Sequence, residues 1–148
     1  MYLRFKYYKH QNDYCTNIDI NRYKDWLNQA KNDIEWAVYS FEGGFFSQTC
    51  FIAQQAGEKA LKAFCFKKGF DIVKTHSLHQ IIKMLKENGV LENNAKELDI
   101  YYISSRSPDS FPAGAPFEII TSDQAERALK SAQEIFGTIS RRIEKLDE

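Results

Sequence analysis

Gln54-Gln55-Ala56-Gly57-Glu58-Lys59-Ala60-Leu61-Lys62-Ala63 is the stretch on which the reading of this chain turns. Its residues favour a helix, yet polar side chains fall on both of its faces. An amphipathic helix at a protein surface keeps its polarity to one side. Here Gln54, Glu58 and Lys62 recur at every fourth position, and Gln55 and Lys59 form a row beside them. Side chains four apart stand one above another, so the rows make a ladder along the helix. Glu58 before Lys62 is the favourable order for a helical ion pair. By its pattern alone the ladder predicts a solvated face; internal or interfacial hydrogen bonds are the other use of such a row.

Outward from this stretch the periodicity stays helical. Tyr23, Trp26, Leu27, Ala30, Ile34, Ala37, Val38 and Phe41 predict a first helix, capped by Asp19 or Asn21 and ended by Gly43-Gly44. The ladder belongs to a second helix, from about 45 to 68, stopped by Gly69. The two-glycine break is short enough to make these helices antiparallel neighbours. Ser77 and Gln80 have the spacing of a capping box and open a short helix carrying Leu78, Ile81, Ile82 and Leu85. A further helix is expected from about 92 to 105. All three prolines then fall within Ser107–Pro116, which predicts a loop. Thr121 and Gln124 repeat the capping-box spacing and open a final helix with small Ala125, Ala128 and Ala132. The segment 117–120 is too short and isolated to build a sheet. The expected fold is all-α: an up-and-down four-helix bundle with an additional short helix at 19–148, preceded by an irregular arm at 1–18.

The 148 residues suit one domain with its own core. Twenty basic residues balance twenty acidic ones, so the bulk charge does not carry the footprint of a strongly basic nucleic-acid binder. Abundant Phe and Tyr fit an oligomer. Cys15, Cys50 and Cys65 form no CxxC pair, and the basic, aromatic Met1–His10 segment lacks the apolar middle of a signal peptide. No run is long enough to span a bilayer. A cytoplasmic protein with free thiols is the expectation.

Arg106 is the leading candidate for a functional residue, and the single candidate for a catalytic one. It ends the fourth helix where a rigid loop begins, and its guanidinium can grip a phosphate with two parallel hydrogen bonds. Tyr101 and Tyr102 lie one turn earlier, placed to stack on a base or hold a phosphate oxygen. The structural alternative is an Arg106–Asp109 pair that pins the loop. His76 and His79 stand three apart without further ligands at metal spacing, so no metal site is predicted. No Walker, GxGxxG, nucleophile-elbow or HExxH pattern is present, and no cofactor is implied.

Three blocks resemble the HEPN (higher eukaryotes and prokaryotes nucleotide-binding) domain. They are Trp26-Leu27-x-x-Ala30-x-x-Asp33; Cys50 to Ala63 followed by His76-Ser77-Leu78; and Tyr101-Tyr102-Ile103-x-Ser105-Arg106-x-Pro108-Asp109, then Thr121 and Ala125-Glu126. The resemblance covers about residues 22–146. It implies a helical-bundle homodimer that interacts with nucleotide or RNA and works with a minimal nucleotidyltransferase partner in a toxin–antitoxin-type system. The implied contact residues are Arg106, Tyr102, Asp109, Lys59 and Lys62. Active toxins of the family are metal-independent endoribonucleases whose Arg is followed four to six residues later by His. After Arg106 this chain has no such His; Asp109 and His76 are the substitutes considered. A divergent endoribonuclease and a non-catalytic dimerisation and partner-binding module are the alternatives.

Overall fold

A computed structural model describes residues 22–148 and is all-α. The expected arm at 1–18, the candidate caps Asp19 and Asn21, and Cys15 lie outside the described residues. Helix α1 spans Tyr23–Glu42 and α2 spans Phe46–Lys67. They are joined by Gly43, Gly44 and Phe45, with Gly44 in the left-handed region at φ 81°, where a Cβ is costly. A short α3, Leu78–Met84, leads to α4, Val90–Asp99, and a single turn, α5, Tyr101–Ser104. The 3-10 turn Pro108–Ser110 and the single-turn α6, Pro116–Ile119, carry the proline-rich segment to α7, Ser122–Asp147. The bundle proper is α1, α2, α4 with α5, and α7; α3 is the additional short helix.

One expected element differs in detail. The helix expected from 92 to 105 is divided at Ile100, which keeps helical angles (φ −57°, ψ −33°) between α4 and α5. The segment 117–120, too short for a sheet, lies largely in the single-turn α6, where Pro116 supplies a preset φ at the first helical position. The Thr121 capping box is complete: its hydroxyl accepts from the Gln124 N–H at 3.3 Å, and the Gln124 side chain accepts from the Thr121 N–H at 2.9 Å. The box at Ser77 is half formed. Its hydroxyl accepts from the Gln80 N–H at 3.2 Å, but the Gln80 side chain turns to the Thr75 hydroxyl. Asp99, at the end of α4, completes the cap. Its carboxylate accepts from the Ser77 hydroxyl (2.6 Å), the Leu78 N–H (2.7 Å) and the His79 N–H (3.1 Å).

Helix α2 lies at the centre and packs against every other α-helix in the described fold. Its small residues Ala53, Ala56, Ala60 and Ala63 are buried, as are Ala125, Ala128 and Ala132 of α7, which lets the two backbones approach. Leu61, Leu78, Ile81, Ile82, Leu98, Ile135 and Ile139 fill the remaining core. This central position corrects the expectation of a solvated ladder. Gln54, Glu58 and Lys62 are 0%, 5% and 5% exposed, because a helix with neighbours on all sides keeps no broad solvent face.

Cys50 and Cys65 are free and buried. Burial pushes their thiols up from 9.0, to about 12 for Cys50 and about 11 for Cys65. Thiolate is the reactive form, so iodoacetamide at pH 8 should leave both unmodified in the folded protein and label both in urea, as read by peptide mass mapping. The folded-state values are raised, so their stabilising effect is intact below the ordinary thiol value. It is lost as pH climbs from 9.0 through 11 to 12, where the unfolded chain binds fewer protons.

Candidate nucleotide-binding site

The ladder leads to the surface through His76, in the segment between α2 and α3. The Gln54 side-chain N–H donates to the His76 carbonyl at 3.1 Å, while the Gln54 carbonyl accepts from Gln55 at 2.7 Å. One turn on, Glu58 Oε1 receives Lys62 Nζ at 2.8 Å and His76 Nδ1 at 3.1 Å. Lys62 also stands 5.8 Å from the Trp26 ring centroid, over its face. Helix α2 thus holds His76 by both backbone and ring, with side chains it keeps out of water.

The exposed side of His76 meets α5. Its ring stacks on Tyr102 with centroids 5.1 Å apart and planes 12° from parallel. Arg106 lies over the same phenol, its guanidinium carbon 4.6 Å from the centroid, and over Phe51 of α2 at 5.0 Å. Arg106 Nε donates to the Tyr102 carbonyl at 2.9 Å, which fixes the base of the guanidinium. Its Nη1 and Nη2 have no hydrogen-bond partner among the described residues, so the fork remains open to an anion. Phe51 and Arg106 also line an adjoining cavity of about 330 Å³ with Trp36, Ser47, Gln48, Ile52, Ser105, Pro116 and Phe117. Arg106 therefore stands between an aromatic-walled cavity on one side and the Tyr102–His76 stack on the other. Among the described residues no group of three or more His, Cys, Asp or Glu side chains is placed to hold a metal.

The HEPN domain profile matches residues 23–143. The chain belongs to the HEPN family. It is 37% identical to TT1696 from Thermus thermophilus, whose crystal structure superposes with a TM-score of 0.78 over 82% of this chain and 98% of that one. ST0689, an archaeal HEPN homologue, is 31% identical with a TM-score of 0.72 over 82% and 97% of the two chains. A HEPN domain protein from Thermotoga maritima, TM0613, is 28% identical with a TM-score of 0.64 over 81% and 98%. No curated protein matches the chain.

Within this HEPN bundle the residues named from sequence separate. Arg106 and Tyr102 come together. Lys62 is buried and touches the site through Glu58. Lys59 pairs with Asp33 of α1, which also accepts from Gln29 at 2.8 Å, so this lysine ties α2 to α1. Asp109 is exposed on the 3-10 turn, and no ion pair or hydrogen bond joins it to Arg106 among the described residues. His79 pairs with Glu92 at 3.0 Å, on the α3–α4 side. Hydrogen bonds from Lys96 and from His79 hold the Glu92 carboxyl below its usual range. Sequence reasoning placed neither Phe51 nor Glu58 in the site. For Glu58 the available signal was the ladder itself, whose middle carboxylate needs a partner once it is buried.

Proposed function

We propose that this HEPN protein binds RNA or nucleotides on the surface formed by Arg106, Tyr102 and His76, and that it does so in the cytoplasm as a homodimer beside a minimal nucleotidyltransferase partner. The observation that carries the reading is Arg106: its guanidinium lies over two aromatic rings with Nε on the Tyr102 carbonyl, while Nη1 and Nη2 have no hydrogen-bond partner among the described residues. A preorganised guanidinium loses little freedom when it takes a phosphate, and rings beside it offer stacking to bases. Trp36, Tyr39 and Phe117 are large, exposed aromatics that suit a dimer or partner surface. No helix among the described residues is long and apolar enough to cross a membrane.

Replacing Arg106 by alanine should weaken binding of a fluorescein-labelled single-stranded RNA by about tenfold or more in an anisotropy titration, since a charge-assisted hydrogen bond contributes roughly 1.5–3 kcal/mol. Unchanged affinity would remove Arg106 from the site. Binding should also fall steeply with added salt, because phosphate contacts release counterions.

A divergent endoribonuclease is the second reading, favoured by the His76–Tyr102 stack. The family's motif supplies a His shortly after its Arg; here a His from the α2–α3 segment contacts the same ring as Arg106. Such a pair provides a proton-transfer group and a phosphate-binding cation. Cleavage of RNA in EDTA, absent from an Arg106→Ala control, is the expected result of this second reading.

A further inference from the structure

The buried end of the ladder fixes more than the place of His76; it fixes which ring nitrogen faces the ligand. Glu58 Oε1 already receives the Lys62 ammonium at 2.8 Å, so Glu58 is a carboxylate and can only accept. The 3.1 Å contact therefore requires His76 Nδ1 to donate. In the neutral ring Nε2 then carries the lone pair. That nitrogen has no hydrogen-bond partner among the described residues, and the side chain is 56% exposed. The Glu58–Lys62 pair is an expensive way to hold a loop. A buried ion pair adds little net stability over apolar residues of similar volume, which points to a role in setting the chemistry of His76.

We propose that His76 Nε2 is a hydrogen-bond acceptor that reads a ribose 2′-hydroxyl, so that the site selects ribonucleotides over deoxyribonucleotides, with Glu58 and Lys62 as the positioning residues. The inference rests on the binding reading above. His76 and the Arg106 guanidinium contact one phenol ring, a separation that a dinucleotide step can bridge. With Arg106 on a phosphate, the neighbouring sugar is the group within reach of His76. The 2′-hydroxyl is the donor present in RNA and missing from DNA. The shared chemistry, a ribose hydroxyl next to a phosphate, occurs in both mononucleotides and RNA.

Three variants and four ligands test this. Anisotropy titrations would use a labelled single-stranded RNA and the DNA of matching sequence, with ATP and dATP as competitors. Wild type should prefer RNA over DNA by about tenfold, the size of one hydrogen bond. His76→Phe keeps a ring to stack on Tyr102 and removes the nitrogen; it should bind DNA as wild type does and lose the preference. Glu58→Gln should lower the preference by releasing the tautomer. Discrimination of ATP from dATP would assign the site to mononucleotides, and discrimination of the oligonucleotides alone would assign it to the polymer. In nitrogen-15 spectra of histidine-labelled protein at pH 7.5, the signals lost in His76→Phe should be those of a neutral ring protonated at Nδ1, and Glu58→Gln should change that pattern. A ring protonated at Nε2, or at both nitrogens, overturns the proposal even if Glu58→Gln fails to fold. Equal binding of RNA and DNA by wild type also overturns it but leaves the binding reading standing. RNA binding that is absent, or unaffected by Arg106→Ala, removes both.

Discussion

Replacing Lys62 by alanine should lower the free energy of unfolding by about 3–5 kcal/mol, the cost of stranding a buried charge, measured by urea denaturation. The side chains of Lys62 and Glu58 are each 7% exposed, and their contact is 2.8 Å. Without the ammonium, the Glu58 carboxylate keeps, among the described residues, His76 at 3.1 Å and a 3.4 Å contact from Gln54. The Glu58 side chain itself is poorly reached by water, so solvent cannot replace the lost partner. Lys59→Ala should also be costly, because the Asp33 carboxylate it strands is only 6% exposed. Lys59 itself is partly exposed, and Asp33 retains the Gln29 hydrogen bond when its ion pair is removed. An effect at Lys62 of less than about 1 kcal/mol, the size found for exposed ion pairs, would show that the ladder is solvated after all.

Gly57→Val should destabilise by about 3 kcal/mol, at the upper end of what overpacking a core costs. A Cβ at Gly57 would stand 2.7 Å from Leu98 Cδ1 and 2.8 Å from Leu78 Cδ2, with Ile135 Cδ1 at 3.7 Å. These leucines are fully buried, so neither has empty space to move into. Alanine or valine gains helix propensity over glycine by up to roughly 1 kcal/mol, but the clash outweighs it. Thermal melts of Gly57→Ala and Gly57→Val should fall in that order below wild type. An Ala variant as stable as wild type would mean that α3 and α4 can retreat from α2 at little cost. The glycine is there for close approach, since its φ lies outside the left-handed region.

Most of the fold could be read from the sequence because local rules act over a few residues. Thr121 with Gln124 announces a helix start, and Gly43-Gly44 announces a stop, whatever surrounds them. The ladder's burial was not legible, because helical spacing says which side chains share a face and nothing about what covers that face. Only the packing of α1, α3, α4 and α7 around α2 decides that Gln54, Glu58 and Lys62 are inside. Arg106 and Tyr102 were legible as a pair because one helical turn links them. The joining of His76 to Tyr102 depends on how α2, α3 and α5 assemble, and no local spacing encodes it. Asp99 was invisible for the same reason: it caps a helix whose start lies far before it in the chain.

That cap has a mechanical consequence. The residues next to His76 are anchored to α4 through Asp99, while the His76 carbonyl and ring are anchored to α2 through Gln54 and Glu58. His76 is thus suspended between the central helix and one of the helices packed on it. A shift of α4 against α2 by even part of an ångström would tilt the imidazole off Tyr102 without anything touching the ligand surface. A protein that gripped the outer face of α4 would be acting on a lever, and its effect would be felt at the opposite end of the linkage.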